Sequence, residues 1–172
     1  MAAAHGSASS VGAPDGAPRI ILQSRLLHPL DEAQWDDVLE LDELWSLVFK
    51  KDHQRWVWEA LCRRTRQIVA YFIGDRSEAS CLQLWRRIPR AYTRCHSFSD
   101  FWEAYQRVFA TDQHQAVGKD SGPTTHIERW FNTLRQRLAR FVRKTLSFSK
   151  SDMFHELAFR LFVHHYNLAC IS

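Results

Sequence analysis

Glycine and proline are scarce once the first nineteen residues, "MAAAHGSASSVGAPDGAPR", are passed: that segment alone holds three of the six glycines and two of the five prolines. The rest of the chain has few backbone breakers and reads as one domain of regular elements. Nowhere do 18 apolar residues run together, and no basic segment leads a short apolar run at the start, so neither a spanning helix nor an export signal is expected. The four cysteines, Cys62, Cys81, Cys95 and Cys170, form no Cys-x-x-Cys pair, which excludes a zinc ribbon or a thioredoxin-like motif and leaves reduced thiols of a cytoplasmic protein. No repeat of 20 to 50 residues is visible. One further absence is local: from Arg129 to Lys150 there are seven Arg or Lys and no Asp or Glu.

What is present is unevenly placed. The formal net charge is +4, yet Asp31, Glu32, Asp36, Asp37, Glu40, Asp42 and Glu43 crowd one short stretch while base crowds the tail. Such a balance suits an anionic partner. Residues 1–37 read as a leader, largely disordered or weakly docked, with a short helix from Asp31; the organised domain is expected over 38–172.

Three runs rich in β-branched and aromatic residues open that domain: Val38 to Val48, Arg55 to Cys62 and Gln67 to Gly74. Links as short as "RRTR" allow antiparallel neighbours only, so a three-stranded meander is expected. Ser77 can cap a helix that carries Leu82, Trp85 and Ile88 on one face and stops before Pro89. "CHSFS" reads as a fourth strand, "FWEAYQRVF" as a second helix with Phe101, Tyr105, Val108 and Phe109 inward, and "HQAV" as a fifth strand. The remainder is helical. The order strand, strand, strand, helix, strand, helix, strand, helix is that of a ribonuclease-H-like α/β domain: an antiparallel meander, further strands added through helices into a mixed sheet, and a helical C-terminal part. The analogy is one of fold and says only where acids would gather.

Three carboxylates answer to those places: Asp42 inside the first apolar run, Asp100 directly after "SFS", and Glu128 at the head of the basic segment. Each has a plainer explanation. Asp42 on an edge strand would simply be solvated; Asp100 with Glu103 reads as a capping box; Glu128 in a first turn is favoured by the helix dipole. At 100° per residue, Ile127, Phe131, Leu134, Leu138, Phe141 and Val142 form one apolar stripe. Glu128, Asn132 and Arg135 form a column along its flank, and Arg129, Arg137, Arg140, Arg143 and Lys144 cover the rest. A merely solvated basic helix is the commoner use of such a pattern, and here it competes with the element order and the two aspartates. Trp130 is the tryptophan best placed beside Glu128 to stack on a base, whereas Trp45, Trp56, Trp58 and Trp85 are read as core.

"ELDELWSLV", "SFSDFWEAY" and "THIERWFNTLRQRLARFVRKTLSFSKS", with "RRTRQIVAYFIGDRS" between the first two, resemble the catalytic blocks of bacterial insertion-sequence transposases of the InsB type, a branch of the DDE transposase family. The resemblance runs from about Leu39 to Ile171. It implies Asp42, Asp100 and Glu128 as a catalytic triad that holds two Mg2+ (or Mn2+) ions, and Arg135 as the basic residue that the family places seven after its glutamate. Family members carry a zinc-finger-like and helix-turn-helix region upstream of the first aspartate; the first 38 residues here have neither signature. A second reading frame joined by frameshifting, a truncated copy or a decayed gene would each have that form.

The resulting expectation is DNA transposition: metal-dependent cleavage of double-stranded DNA at insertion-element ends and transfer of the 3′ ends to target DNA, by a homo-oligomer acting in the cytoplasm on the nucleoid. The alternative is a non-catalytic fragment that regulates by occupying DNA or pairing with a full-length transposase. A nuclease that hydrolyses without joining strands is a third reading.

Overall fold

The computed structural model describes residues 30–49, 53–109, 112–118, 122–142 and 147–171. Strands β1 (Val38–Leu47), β2 (Gln54–Cys62) and β3 (Ile68–Gly74) come first. Helix α1 (Glu78–Arg87), β4 (His96–Ser99), α2 (Glu103–Val108), β5 (His114–Ala116), α3 (Thr125–Arg137) and α4 (Asp152–Cys170) follow. The sheet order is β3-β2-β1-β4-β5. The first three strands pair antiparallel, as short links require, and β4 and β5 add in parallel on the far side of β1. The expected meander, strand number and element order are therefore observed.

Period-two alternation decides which residues of β1 face which layer. Leu39 and Leu41 join a cluster with Trp58, Cys81, Leu84, Tyr105 and Phe109 beneath α1 and α2. Leu44 joins Val57, Ile127, Trp130, Phe131, Leu134, Phe159 and Val163 beneath α3 and α4. Trp58 is fully buried and donates its indole N–H to the Asp75 carbonyl at 2.9 Å, so its truncation to Ala should cost about 3–5 kcal/mol. Ser77 caps α1, accepting from the Ser80 N–H. Ser151 caps α4 in the same way, accepting from the Phe154 N–H.

Several expectations are corrected. No helix starts at Asp31; residues 31–34 are irregular and the chain turns at Trp35 and Asp36, with Asp37 N–H donating to the Gln34 carbonyl at 3.1 Å. That turn is docked, because Asp37 pairs with Arg64 at 2.7 Å and Leu30 and Ala33 pack on the first cluster. The part of the leader before Leu30 lies outside the described residues. Phe101 is 63% exposed, since α2 begins only at Glu103 and leaves it in the preceding bend. The basic helix is shorter than its apolar spacing implied: at Leu138 the backbone leaves the helical region (φ −121°, ψ 92°), and a single 3-10 turn over Ala139–Phe141 follows. Phe141 still reaches the core, but Val142 is exposed.

Candidate active site

Register explains how two distant aspartates meet. Parallel β1 and β4 pair Val38 with His96, Leu39 with Ser97 and Glu40 with Phe98. Continued by two residues, the same offset sets Asp42 against Asp100, where β4 has ended and the two strands part. The carboxyl ends of neighbouring parallel strands are where open α/β sheets leave a crevice. Asp42, Glu43 and Asp100 each bring a carboxylate oxygen there, all within 4.8 Å of one another, as a hard divalent cation requires.

The surroundings give the three acids different characters. Asp42 accepts the Glu43 N–H at 2.8 Å, and Asp100 accepts the Trp102 N–H at 3.0 Å. Asp100 thus closes a turn ahead of α2 and is not its N-cap; Trp102 holds that place without a side-chain cap. Glu43, which alternation turns to the α2 side, is bound by Arg76 at 2.7 Å and by the Tyr105 hydroxyl at 2.9 Å. Burial, and next the Asp100 charge, push its pKa above the ordinary carboxylate value. The Arg76 guanidinium stands 4.6 Å from the Trp56 ring centroid and 4.4 Å from that of Trp102, which fixes it on Glu43. Glu43 is the member of the group that sequence reasoning missed. The signal available was "ELDEL", three acids in an apolar run, of which only the central one was singled out.

Glu128 lies in the first turn of α3, where its N–H donates to the Thr124 carbonyl at 3.2 Å and its Oε1 accepts the Thr124 hydroxyl at 3.4 Å. It stands outside the group of three. What ties its helix to Asp42 is Glu40, two residues earlier on the same face of β1. Glu40 Oε2 accepts the N–H groups of His126 and Ile127 at 2.9 and 3.0 Å. Its Oε1 pairs with Arg63 Nε at 2.8 Å and His126 Nδ1 at 2.6 Å. A buried carboxylate from a strand therefore fills the anion site at the start of α3, where unpaired N–H groups and the dipole both favour negative charge. Cross-strand from Asp42 lies Glu59, fully buried, which accepts the Trp130 indole N–H through Oε2. Its Oε1 has no hydrogen-bond partner among the described residues, and burial, helped by the Asp42 charge and only partly opposed by the Trp130 bond, leaves its pKa well above the usual range.

This geometry removes one expectation. Trp130 is 1% exposed, wedged between Glu59 and the rings of Phe162 and Tyr166, and cannot stack on a base. Of the expected DNA contacts, Arg129, Asn132 and Arg137 are exposed on α3 and Arg135 is half-buried. Arg140 is off the helix, bonded to the Ser149 hydroxyl at 3.3 Å, and Arg143 and Lys144 lie outside the described residues.

A family model described as IS1 transposase matches residues 38–168. Over 126 residues the chain is 36% identical to the insertion element iso-IS1n protein InsB of Shigella dysenteriae, covering 73% of this chain and 93% of that protein. Over 117 residues it is 37% identical to the insertion element IS1 protein InsB of Shigella flexneri, covering 68% and 86% respectively. The insertion element IS1 4 protein InsB of Escherichia coli (strain K12) is 35% identical over the same length, covering 68% of each chain.

Proposed function

The chain belongs to the IS1 transposase family, and from that premise we propose that residues 38–172 form a ribonuclease-H-like DDE domain that cleaves element ends and transfers their 3′ strands to target DNA. The observation that carries the reading is the meeting of Asp42 and Asp100 where parallel β1 and β4 part. Sheet order, meander and added parallel strands support the fold assignment. The partner is double-stranded DNA, so the place of action is the nucleoid, and two ends brought together call for more than one copy of the chain. Among the described residues no helix is long and apolar enough to cross a membrane.

The residues fit a divalent cation: three carboxylate oxygens converge, and one of the three acids is already held by Arg76 and Tyr105. Asp42 and Asp100 would hold Mg2+ or Mn2+, with Glu128 closing the set from α3 when DNA is engaged. Bound there, two such ions would supply an activated water and stabilise charge on the leaving oxygen. The protein's own part is placement. Glu40 and Arg63 hold the start of α3 against β1, and Arg135, two turns beyond Glu128, pairs with a phosphate beside the cut. Arg129, Asn132 and Arg137 on the exposed side of α3 grip the backbone further along without reading sequence.

A nicking assay on element-end DNA, run beside salt-titrated binding, tests the assignment. Asp42→Asn, Asp100→Asn and Glu128→Gln should each lower cleavage by at least about 100-fold while leaving binding without metal within about 2-fold. Arg135→Ala should weaken binding and reduce the steepness of its salt dependence by about one ion. Full cleavage by any of the three acid variants would remove that residue from the site, and full cleavage by both aspartate variants would remove the reading.

A further inference from the structure

Helix α4, with 19 residues, is about 28 Å long. Its inner face buries His155, Phe159, Val163 and Asn167, a row spaced by four. A helix on a domain surface ordinarily turns charge outward. This one does not. Phe154, Leu157, Leu161 and Leu168 are 44 to 54% exposed and, at 100° per residue, lie within about 60° of one another opposite Phe159 and Val163. Met153 and Ile171 extend the apolar surface at either end. Between Met153 and Ile171 the only formally charged residues are Glu156 and Arg160, which lie off that stripe.

We propose that the outer face of α4 is an interface between two copies of this chain, with the two helices packed antiparallel across a two-fold axis at Leu161. The spacing of three, four and seven residues from Phe154 through Leu157 and Leu161 to Leu168 is that of a helix seam, not of scattered surface residues. The stripe is complementary to itself about its middle. With Leu161 on the axis, Phe154 of one copy meets Leu168 of the other, and Leu157 meets His165. A closed two-fold contact needs just this self-matching. Opposed helix directions also pair the dipoles favourably. The area reaches the lower bound for a specific contact: six half-exposed side chains offer on the order of 500 Å2 per copy, so the pair would bury about 1,000 Å2, a size that suits a weak, reversible dimer. The interface lies on α4, away from the Asp42 and Asp100 crevice, so it stands whether or not the cleavage reading does.

Sedimentation of the full chain without DNA, from about 1 to 100 μM, should show a monomer–dimer equilibrium in the range expected for an interface of this size. Leu161→Glu sets two carboxylates against each other at the axis and should raise the dimer dissociation constant at least about 10-fold, with thermal unfolding of the monomer little changed because Leu161 is already half exposed. Leu161→Cys in a Cys170→Ser background should oxidise to a covalently linked dimer, which decides the matter if the glutamate variant folds poorly. A wild-type chain that stays monomeric throughout, a glutamate variant that dimerises normally, or a cysteine variant that forms no linked dimer overturns the proposal. A monomer would assign the face to the chain's own first 29 residues or to a different protein.

Discussion

Glu43 sits among the metal-ligand candidates and is already engaged within the protein. Arg76 and Tyr105 both hold it, and two indole rings hold Arg76, so its charge is largely spent inside the protein. His155 is the residue whose burial has the clearest consequence in solution. Its Nε2 meets the Ser46 hydroxyl at 2.9 Å and its Nδ1 the Ser149 hydroxyl at 3.1 Å, joining α4 to β1 through the segment before the helix. Burial lowers its pKa from 6.5 to about 4; nearby Asp152 acts the other way, and Arg140 and Arg55 act with the burial. A histidine depressed by folding takes up its proton more readily in the unfolded chain. Its contribution to stability is therefore complete above pH 6.5 and is lost as pH falls toward 4. Denaturant unfolding across that interval should show stability falling by up to about 1.4 kcal/mol per pH unit, and His155→Gln should remove that part of the slope. An unchanged slope in the variant would assign the acid sensitivity to other groups.

At the scale of elements, α3 is held at its first turn by Glu40 and along its length by Ile127, Phe131 and Leu134. Because Glu40 and Asp42 share one face of β1, and Glu128 follows His126 by two residues, the clamp sets how the first turn of α3 lies against β1. Glu40→Ala leaves Arg63 and two helix N–H groups without their partner and should destabilise by about 3–5 kcal/mol, measured by urea unfolding. Glu40→Gln keeps an acceptor but loses the charge at the dipole, and should cost about 1–2 kcal/mol. A negligible cost in both would mean that the apolar stripe alone seats the helix. Runs such as "RWVWEALC" and "QIVAYFIG" announced their strands, because β-branched and aromatic residues suit a pleated, buried surface and a four-residue link permits only an antiparallel partner. The end of α3 was not legible. The stripe stays apolar through Phe141 because the 3-10 turn keeps that residue in the core, so periodicity persisted where the helix did not. Glu40 and Glu59 were invisible for another reason: what keeps a carboxylate inside is its partners, His126 and Arg63 in one case and Trp130 in the other, and these come together only in the fold.

At the scale of the whole molecule, Glu40 and Asp42 of β1 face the side of the sheet covered by α3, a helix whose exposed side is basic, so under the proposed function a DNA backbone following Arg129, Asn132 and Arg137 would be led toward the crevice where Asp42 and Asp100 lie. The two sides of the sheet divide the work: α1 and α2 support Glu43 and the turn that carries Asp100, while α3 and α4 bring the basic surface and the apolar outer face. The proposed cleavage rests on a cation being held where β1 and β4 part. Anomalous scattering from crystals grown with Mn2+ locates such an ion without reference to activity. The expected result is a peak between the Asp42 and Asp100 carboxylates, at about 2.0–2.2 Å from an oxygen of each, as a small hard cation requires. No peak at a Mn2+ concentration that supports cleavage, or a peak that touches neither aspartate, would contradict the account.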